Sequence, residues 1–176
     1  MVAEDPAWVV AIDVDYRDDQ GQAATAGVCF TDWRAAEPTH EATVLVSGVQ
    51  AYVPGDFYRR ELPCILELLR ALEHEVGMVV VDGYVWLSED GRPGLGAHVY
   101  EALGRRVPVV GVAKNSFAGS PMAIEVRRGQ SQRPLFVTTV GVEAEEAARW
   151  VESMHGPYRI PTLLKRVDAL ARAYPR

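Results

Sequence analysis

Trp8-Val-Val-Ala-Ile-Asp-Val-Asp-Tyr16 reads as a strand buried along most of its length and ending in acids. The run is apolar and rich in β-branched side chains, which suit a packed, pleated surface. A carboxylate on a core strand costs free energy unless a partner compensates it. Asp13 therefore marks both the end of the buried stretch and a candidate site. Alternation puts Asp15 on the same face, so the pattern alone does not choose between the two.

On the C-terminal side lie the turn-like stretch Arg17 to Gln22 and two more apolar runs, Ala24 to Trp33 and Ala42 to Gly48, separated by a loop around Pro38. The three runs suggest an antiparallel meander. Val53-Pro-Gly-Asp56 breaks the pattern, with Asp56 as an N-cap. From Phe57 to Val76 the spacing of Leu62, Ile65, Leu66, Leu68, Leu69 and Leu72 is helical, with Pro63 near the start and Gly77 as the stop.

Met78 to Val81 is a second strand ending in an acid, Asp82. A glycine-rich loop, a helix over Gly94 to Leu103 and a strand over Val107 to Ala113 complete a parallel crossover unit. Ile124 to Arg128 and Leu135 to Thr139 form a hairpin, and helices over Ala144 to Met154 and Thr162 to Ala173 close the chain. The order predicts an α/β fold, a mixed sheet flanked by helices, as a single domain over residues 1–176.

The 176 residues are 48% apolar and 24% charged, enough to bury a core and too ordered in composition for a disordered chain. There is no membrane-length apolar run and no signal-like N-terminus, so a cytoplasmic location is expected. Cys29 and Cys64 lie far apart in apolar surroundings and read as buried thiols. The net charge of −6 argues on its face against a nucleic-acid partner. Metal-holding carboxylates would weaken that argument, because bound cations neutralise them. The basic pairs Arg59-Arg60, Arg105-Arg106, Arg127-Arg128 and Lys165-Arg166 are candidates for a phosphate track or for solvated surface.

Asp13 and Asp82 each end a buried strand, the edge where open α/β sheets bind ligands. Mg²⁺ is a suitable partner, being hard, oxygen-seeking and commonly shared between carboxylates and phosphate. Convergent acids can then clamp the attacking and leaving oxygens of a phosphodiester. Glu61 is a third candidate, with Asp168 on the last helix to complete the set. Glu67 competes with Glu61, and Glu61 alternatively serves as an ordinary acid in a first helical turn. Lys114 follows the third parallel-type strand, where it would meet a phosphate or stand exposed in a loop.

These segments together resemble the endonuclease V family. Tyr52-Val-Pro-Gly-Asp-Phe-Tyr-Arg-Arg-Glu-Leu-Pro63 is similar to its Tyr-[Ile/Val]-Pro-Gly…Arg-Glu-x-Pro segment. Asp13 in Ala-Ile-Asp-Val-Asp-Tyr, Val81-Asp-Gly83, Gly94-Leu-Gly-Ala-His98, Val109-Val-Gly-Val-Ala-Lys114, Thr139-Val-Gly141, Tyr158-Arg-Ile-Pro161 and Arg166-Val-Asp168 match further motifs in family order.

The resemblance implies a ribonuclease H-like fold. It also implies a metal-dependent endonuclease that hydrolyses phosphodiesters in DNA or RNA near deaminated bases such as deoxyinosine. Mg²⁺, with Mn²⁺ as an alternative, would be held by Asp13, Glu61 and Asp82, with Asp168 completing the set and Lys114 as the active-site lysine. Tyr52, Val53, Pro54 and Gly55 match a wedge that enters the helix at the lesion. Gly83 and His98 match nucleic-acid contacts. The departures are Ala51 before the wedge and Tyr84-Val-Trp-Leu-Ser-Glu-Asp-Gly-Arg-Pro93, where bulky side chains replace a small pocket glycine. They imply a changed base preference. A protein that kept the fold to bind nucleic acid without cutting it is the alternative.

Overall fold

The computed structural model describes residues 6–54, 56, 58–118, 120 and 122–176. Its strands are β1 (Trp8–Arg17), β2 (Gln22–Phe30), β3 (His40–Ser47), β4 (Val76–Asp82), β5 (Val109–Ala113), β6 (Ile124–Val126) and β7 (Leu135–Val140). Its helices are α1 (Tyr58–Ala71), α2 (Leu95–Ala102), α3 (Ala144–Ser153) and α4 (Thr162–Arg172). Among the described residues the strands form one sheet in the order β3-β2-β1-β4-β5-β7-β6. β1, β4 and β5 run parallel at its centre, and the flanking strands are antiparallel. The predicted meander, crossover and hairpin are all present.

Strand alternation divides the core between two faces. Val10, Ile12, Val79, Val81 and Val109 pack with Ile65 and Leu68 of α1 and Val99 of α2. Ala11, Val80, Val110 and Val112 pack with Val151 of α3 and Leu163, Val167 and Ala171 of α4. The central strands are thus covered on both sides, which is why they read as nearly continuous apolar runs.

The expected long helix ends early. α1 stops at Ala71, because Val76 must already pair with Trp8 in the sheet. Leu72 turns into the core at the helix end, and His74 stacks on the Trp8 ring at 4.1 Å. Gly77 lies inside β4 instead of stopping the helix. Its missing side chain lets the strand pass Ala7, whose Cβ would stand 2.8 Å from a Cβ at this position. β2 ends at Phe30, leaving Trp33 outside the strand and stacked on Trp150 at 5.3 Å. Both cysteines are buried free thiols.

Candidate active site

Topology brings the acids together. Ile12 pairs with Val81 and Asp82 with Val112, so Asp13 lies one residue past the last parallel pair with β4, beside Asp82 at that strand's end; β1 itself does not end there, contrary to the sequence reading, but runs on to Arg17 paired with β2 alone. By alternation Asp13, Asp82 and Lys114 share the face of Ala11, Val80 and Val112, the face covered by α4. Asp168 of α4 accordingly comes up to Asp13, close enough to raise its carboxyl. Glu61 arrives from the opposite face, on the first turn of α1, one and two turns ahead of Ile65 and Leu68, which anchor that helix to the sheet. Asp13, Glu61 and Asp82 line one void of about 10 Å³, closed by Ile12, Ile65 and Leu95. That is about the room needed by a single water-sized sphere.

The electrostatics follow from this crowding. Burial, then the hydrogen bond to Asp168 and the charge of Asp82, pushes the Asp13 carboxyl up to about 7. Burial, then the charges of Asp82 and Asp13, pushes Glu61 up to about 8, against the pull of the Tyr16 hydroxyl beside it and of the Arg60 cation. Among the described residues neither Glu61 Oε2 nor the Tyr16 hydroxyl makes a well-formed hydrogen bond, although both are buried. Lys114 Nζ donates to Asp82 Oδ2 at 3.5 Å. Glu61 is therefore no exposed helix charge: it is 9% exposed. Asp15, the competing acid on β1, is drawn away by Arg17 at 3.7 Å, and Glu67 pairs with Arg70 on the surface.

As the side chains stand, no group of three or more His, Cys, Asp or Glu among the described residues is set to hold a metal ion. Asp13 is engaged with Asp168, which Arg172 also holds at 3.2 Å, and Asp82 is engaged with Lys114. The donor set nevertheless fits a hard divalent cation. All the donors are carboxylate oxygens, one of them buried with no well-formed hydrogen bond among the described residues, and the void between them is ion-sized. A cation there would remove the mutual repulsion that raises Asp13 and Glu61.

Beside Asp82 a larger cavity of about 390 Å³ is lined by Gly83, Tyr84, Arg92, His98, Tyr58 and Asp56, among others. Gly83 has φ +142°, a conformation open to glycine, and it turns the chain away from the strand to form the wall. His98 stacks on Tyr58 with ring centroids 3.6 Å apart. Burial and the Arg59 charge hold the His98 imidazole below its usual range. Tyr84 hangs at the rim with its hydroxyl donating to the Asn115 carbonyl at 2.6 Å. Trp86 faces elsewhere: its indole N–H donates to the Thr139 carbonyl at 3.0 Å, covering the loop against β7.

Tyr52, Val53 and Pro54 stand exposed on the segment between β3 and α1, and Gly55 lies outside the described residues. Most of the basic pairs meet carboxylates or carbonyls of the chain itself. Arg59, Arg60, Arg105, Arg127 and Arg166 are tied to carboxylates, and Arg128 is buried against backbone carbonyls. The sequence reading assigned no role to Tyr58, Arg92 or Arg159. Only the Gly91 and Pro93 neighbours of Arg92 and the Tyr-Arg-Ile-Pro motif hinted at them.

The endonuclease V family model matches residues 2–139. The chain belongs to the endonuclease V family. The family is one of nucleases, so the chain falls in that enzyme class. It is 35% identical to the endonuclease V of Streptomyces coelicolor, over 94% of this chain and 78% of that one. It is 32% identical to the endonuclease V of Streptomyces avermitilis, over 93% and 79%. The crystal structure of the S. avermitilis protein superposes with a TM-score of 0.74 at 29% identity, covering 97% of this chain and 85% of that one. Endonuclease V of Ciona intestinalis, solved with a 24mer DNA containing an inosine followed by a ribo-adenosine, shares the fold with a TM-score of 0.76 at 19% identity; the match covers 94% of this chain and 84% of that one. The ribonuclease H-like mixed sheet expected from the motifs is therefore the fold of this member of the family.

Proposed function

We propose that this family member is a metal-dependent endonuclease that hydrolyses a phosphodiester in DNA or RNA near a deaminated base such as inosine. The observation that carries the reading is the convergence of Asp13, Glu61 and Asp82 on one ion-sized void at the sheet edge, with a buried Glu61 oxygen that makes no well-formed hydrogen bond among the described residues. Asp13, Glu61 and Asp82 would hold Mg²⁺ or Mn²⁺, with Asp168 closing the set from α4. When bound, the cation supplies Lewis-acid stabilisation of phosphoryl charge and a more acidic water.

The chain's own groups do the rest. Lys114, released from Asp82, sits where it can neutralise a phosphate oxygen. Asp13 and Glu61, relieved of their mutual repulsion by the cation, would stay ionised and hold it in place. The cavity beside Gly83 is large enough to take a base out of the stack, and the Tyr58–His98 pair forms part of its wall. Tyr52, Val53 and Pro54 lie exposed at the same end, where an aromatic and a rigid turn can replace lost stacking.

The test is cleavage of labelled inosine-containing and undamaged DNA and RNA oligonucleotides, each with Mg²⁺, with Mn²⁺ and with chelator. Metal-dependent cutting beside inosine is expected. Binding without cutting in every arm would favour the non-cleaving alternative.

A further inference from the structure

The carboxylates have a second flank, lined by residues other than those of the Gly83 cavity. There a cavity of about 320 Å³ opens between the Tyr158–Ile160 segment and α4, with Lys114 and Asp168 among its lining residues. Tyr158 and Lys165 also line it. Tyr158 is 70% exposed, more than any other large hydrophobic residue noted on the surface, and the Lys165 ammonium lies 6.0 Å from its ring.

This ring is held out by a fixed support. Arg128 is 5% exposed and donates to the carbonyls of Met154, Gly156, Tyr158 and Arg159. Arg159 in turn donates to the carbonyls of Lys114, Arg133 and Pro134. The two guanidiniums clamp the segment to the end of β5, beside the acids. An exposed aromatic on so well-tied a backbone gains nothing for the core, since its ring buries little.

Charge points the same way. Most cations of this acidic chain are neutralised by carboxylates, including the neighbouring Arg166, which pairs with Glu37 and Glu41. Lys165 has no carboxylate partner among the described residues, although Asp168 lies one helical turn away; Asp168 is taken by Arg172 and Asp13. An ammonium without a carboxylate partner among the described residues, lying over an exposed ring and opening onto Lys114, is the combination that binds a phosphate and a stacked base.

We infer that this pocket holds the nucleotide across the scissile bond from the one in the Gly83 cavity, with its base on Tyr158 and its phosphate at Lys165. The inference rests on the nuclease reading and extends it to the path of the strand.

The test uses single-stranded oligonucleotides carrying one inosine, extended stepwise on either the 5′ or the 3′ side. Binding to the intact protein is read by fluorescence anisotropy in chelator, and circular dichroism checks the fold of each variant. In one direction a single step should strengthen binding about tenfold, the scale of one base stacked on an aromatic. Tyr158→Ala should erase that step and leave shorter strands unaffected, while Tyr158→Phe keeps it. Lys165→Gln should lower the salt slope by about 0.7, one phosphate's worth on a single strand. If the step survives in both Tyr158→Ala and Lys165→Gln while inosine strands are still cut with Mg²⁺, the subsite is overturned and the nuclease reading stands. If the wild-type protein neither binds nor cuts any strand, both fall together.

Discussion

Removing the charge at Asp13 should stabilise the metal-free protein at alkaline pH. Packing raises the Asp13 carboxyl from 3.8 to about 7. The folded state therefore holds a proton that the unfolded chain has already released. The stabilisation from that bound proton is complete below about pH 4 and is lost as pH rises through about 7. At about 1.4 kcal/mol per tenfold in proton affinity, the rise costs up to roughly 4 kcal/mol once Asp13 is ionised. In a domain of this size about 1 kcal/mol moves Tm by roughly 2–4 °C, so the Asp13 share is of the order of 10 °C. Glu61, raised from 4.5 to about 8 by the same crowding, adds a fall of the same sign.

Thermal melts in chelator from pH 4.5 to 8.5 should show wild-type Tm falling across the range. Asp13→Asn cannot ionise and also relieves Glu61, so its curve should be much flatter and should lie above wild type at pH 8.5. Adding Mg²⁺ at pH 8.5 should raise wild-type Tm and barely move the variant. Parallel curves for the two proteins in chelator would refute the electrostatic account of the cluster.

Asp82→Asn should abolish Mg²⁺-dependent cleavage while leaving the circular dichroism spectrum and Tm close to wild type, because the change is nearly isosteric and relieves repulsion among the acids; cleavage at the wild-type rate would remove Asp82 from the proposed site. Arg128→Ala should cost about 3–5 kcal/mol in urea unfolding, since a buried guanidinium that satisfies several carbonyls leaves them unpaired; a loss below about 1 kcal/mol would show that water replaces it. Tyr84 lines the cavity where family members carry less bulk, so discrimination between inosine and undamaged duplexes should be weaker than in relatives. The ratio of cleavage rates at one salt concentration measures this. A ratio as high as theirs would mean that Tyr84, tethered to the Asn115 carbonyl, stays clear of the base.

The order of elements and the identity of the strand-end acids were legible in the residues, because both depend on local pattern. β-branched runs ending in Asp13 and Asp82 declare buried strands whose last position can afford a charge only with a partner. Ordered motifs from the first strand to the last helix carried the family. Composition left one point open: the basic pairs were legible as charge, but which carboxylates they meet depends on distant segments, as Arg166 with Glu37 shows.

What the sequence alone determined is the fold class, the family and the list of candidate acids. Only the tertiary structure decided which acids come together. Asp13 and Asp15 share a strand face in the one-dimensional pattern, yet Arg17 takes Asp15 while parallel pairing sets Asp13 beside Asp82. Glu61 and Glu67 share a helix, yet only Glu61 is pressed against the sheet edge. Trp86 and Tyr84 share a loop, yet one covers β7 and the other lines the cavity. The physical reason is that burial and charge proximity are set by strand register and by helices packing from opposite faces, contacts between segments far apart in the chain that no local pattern encodes.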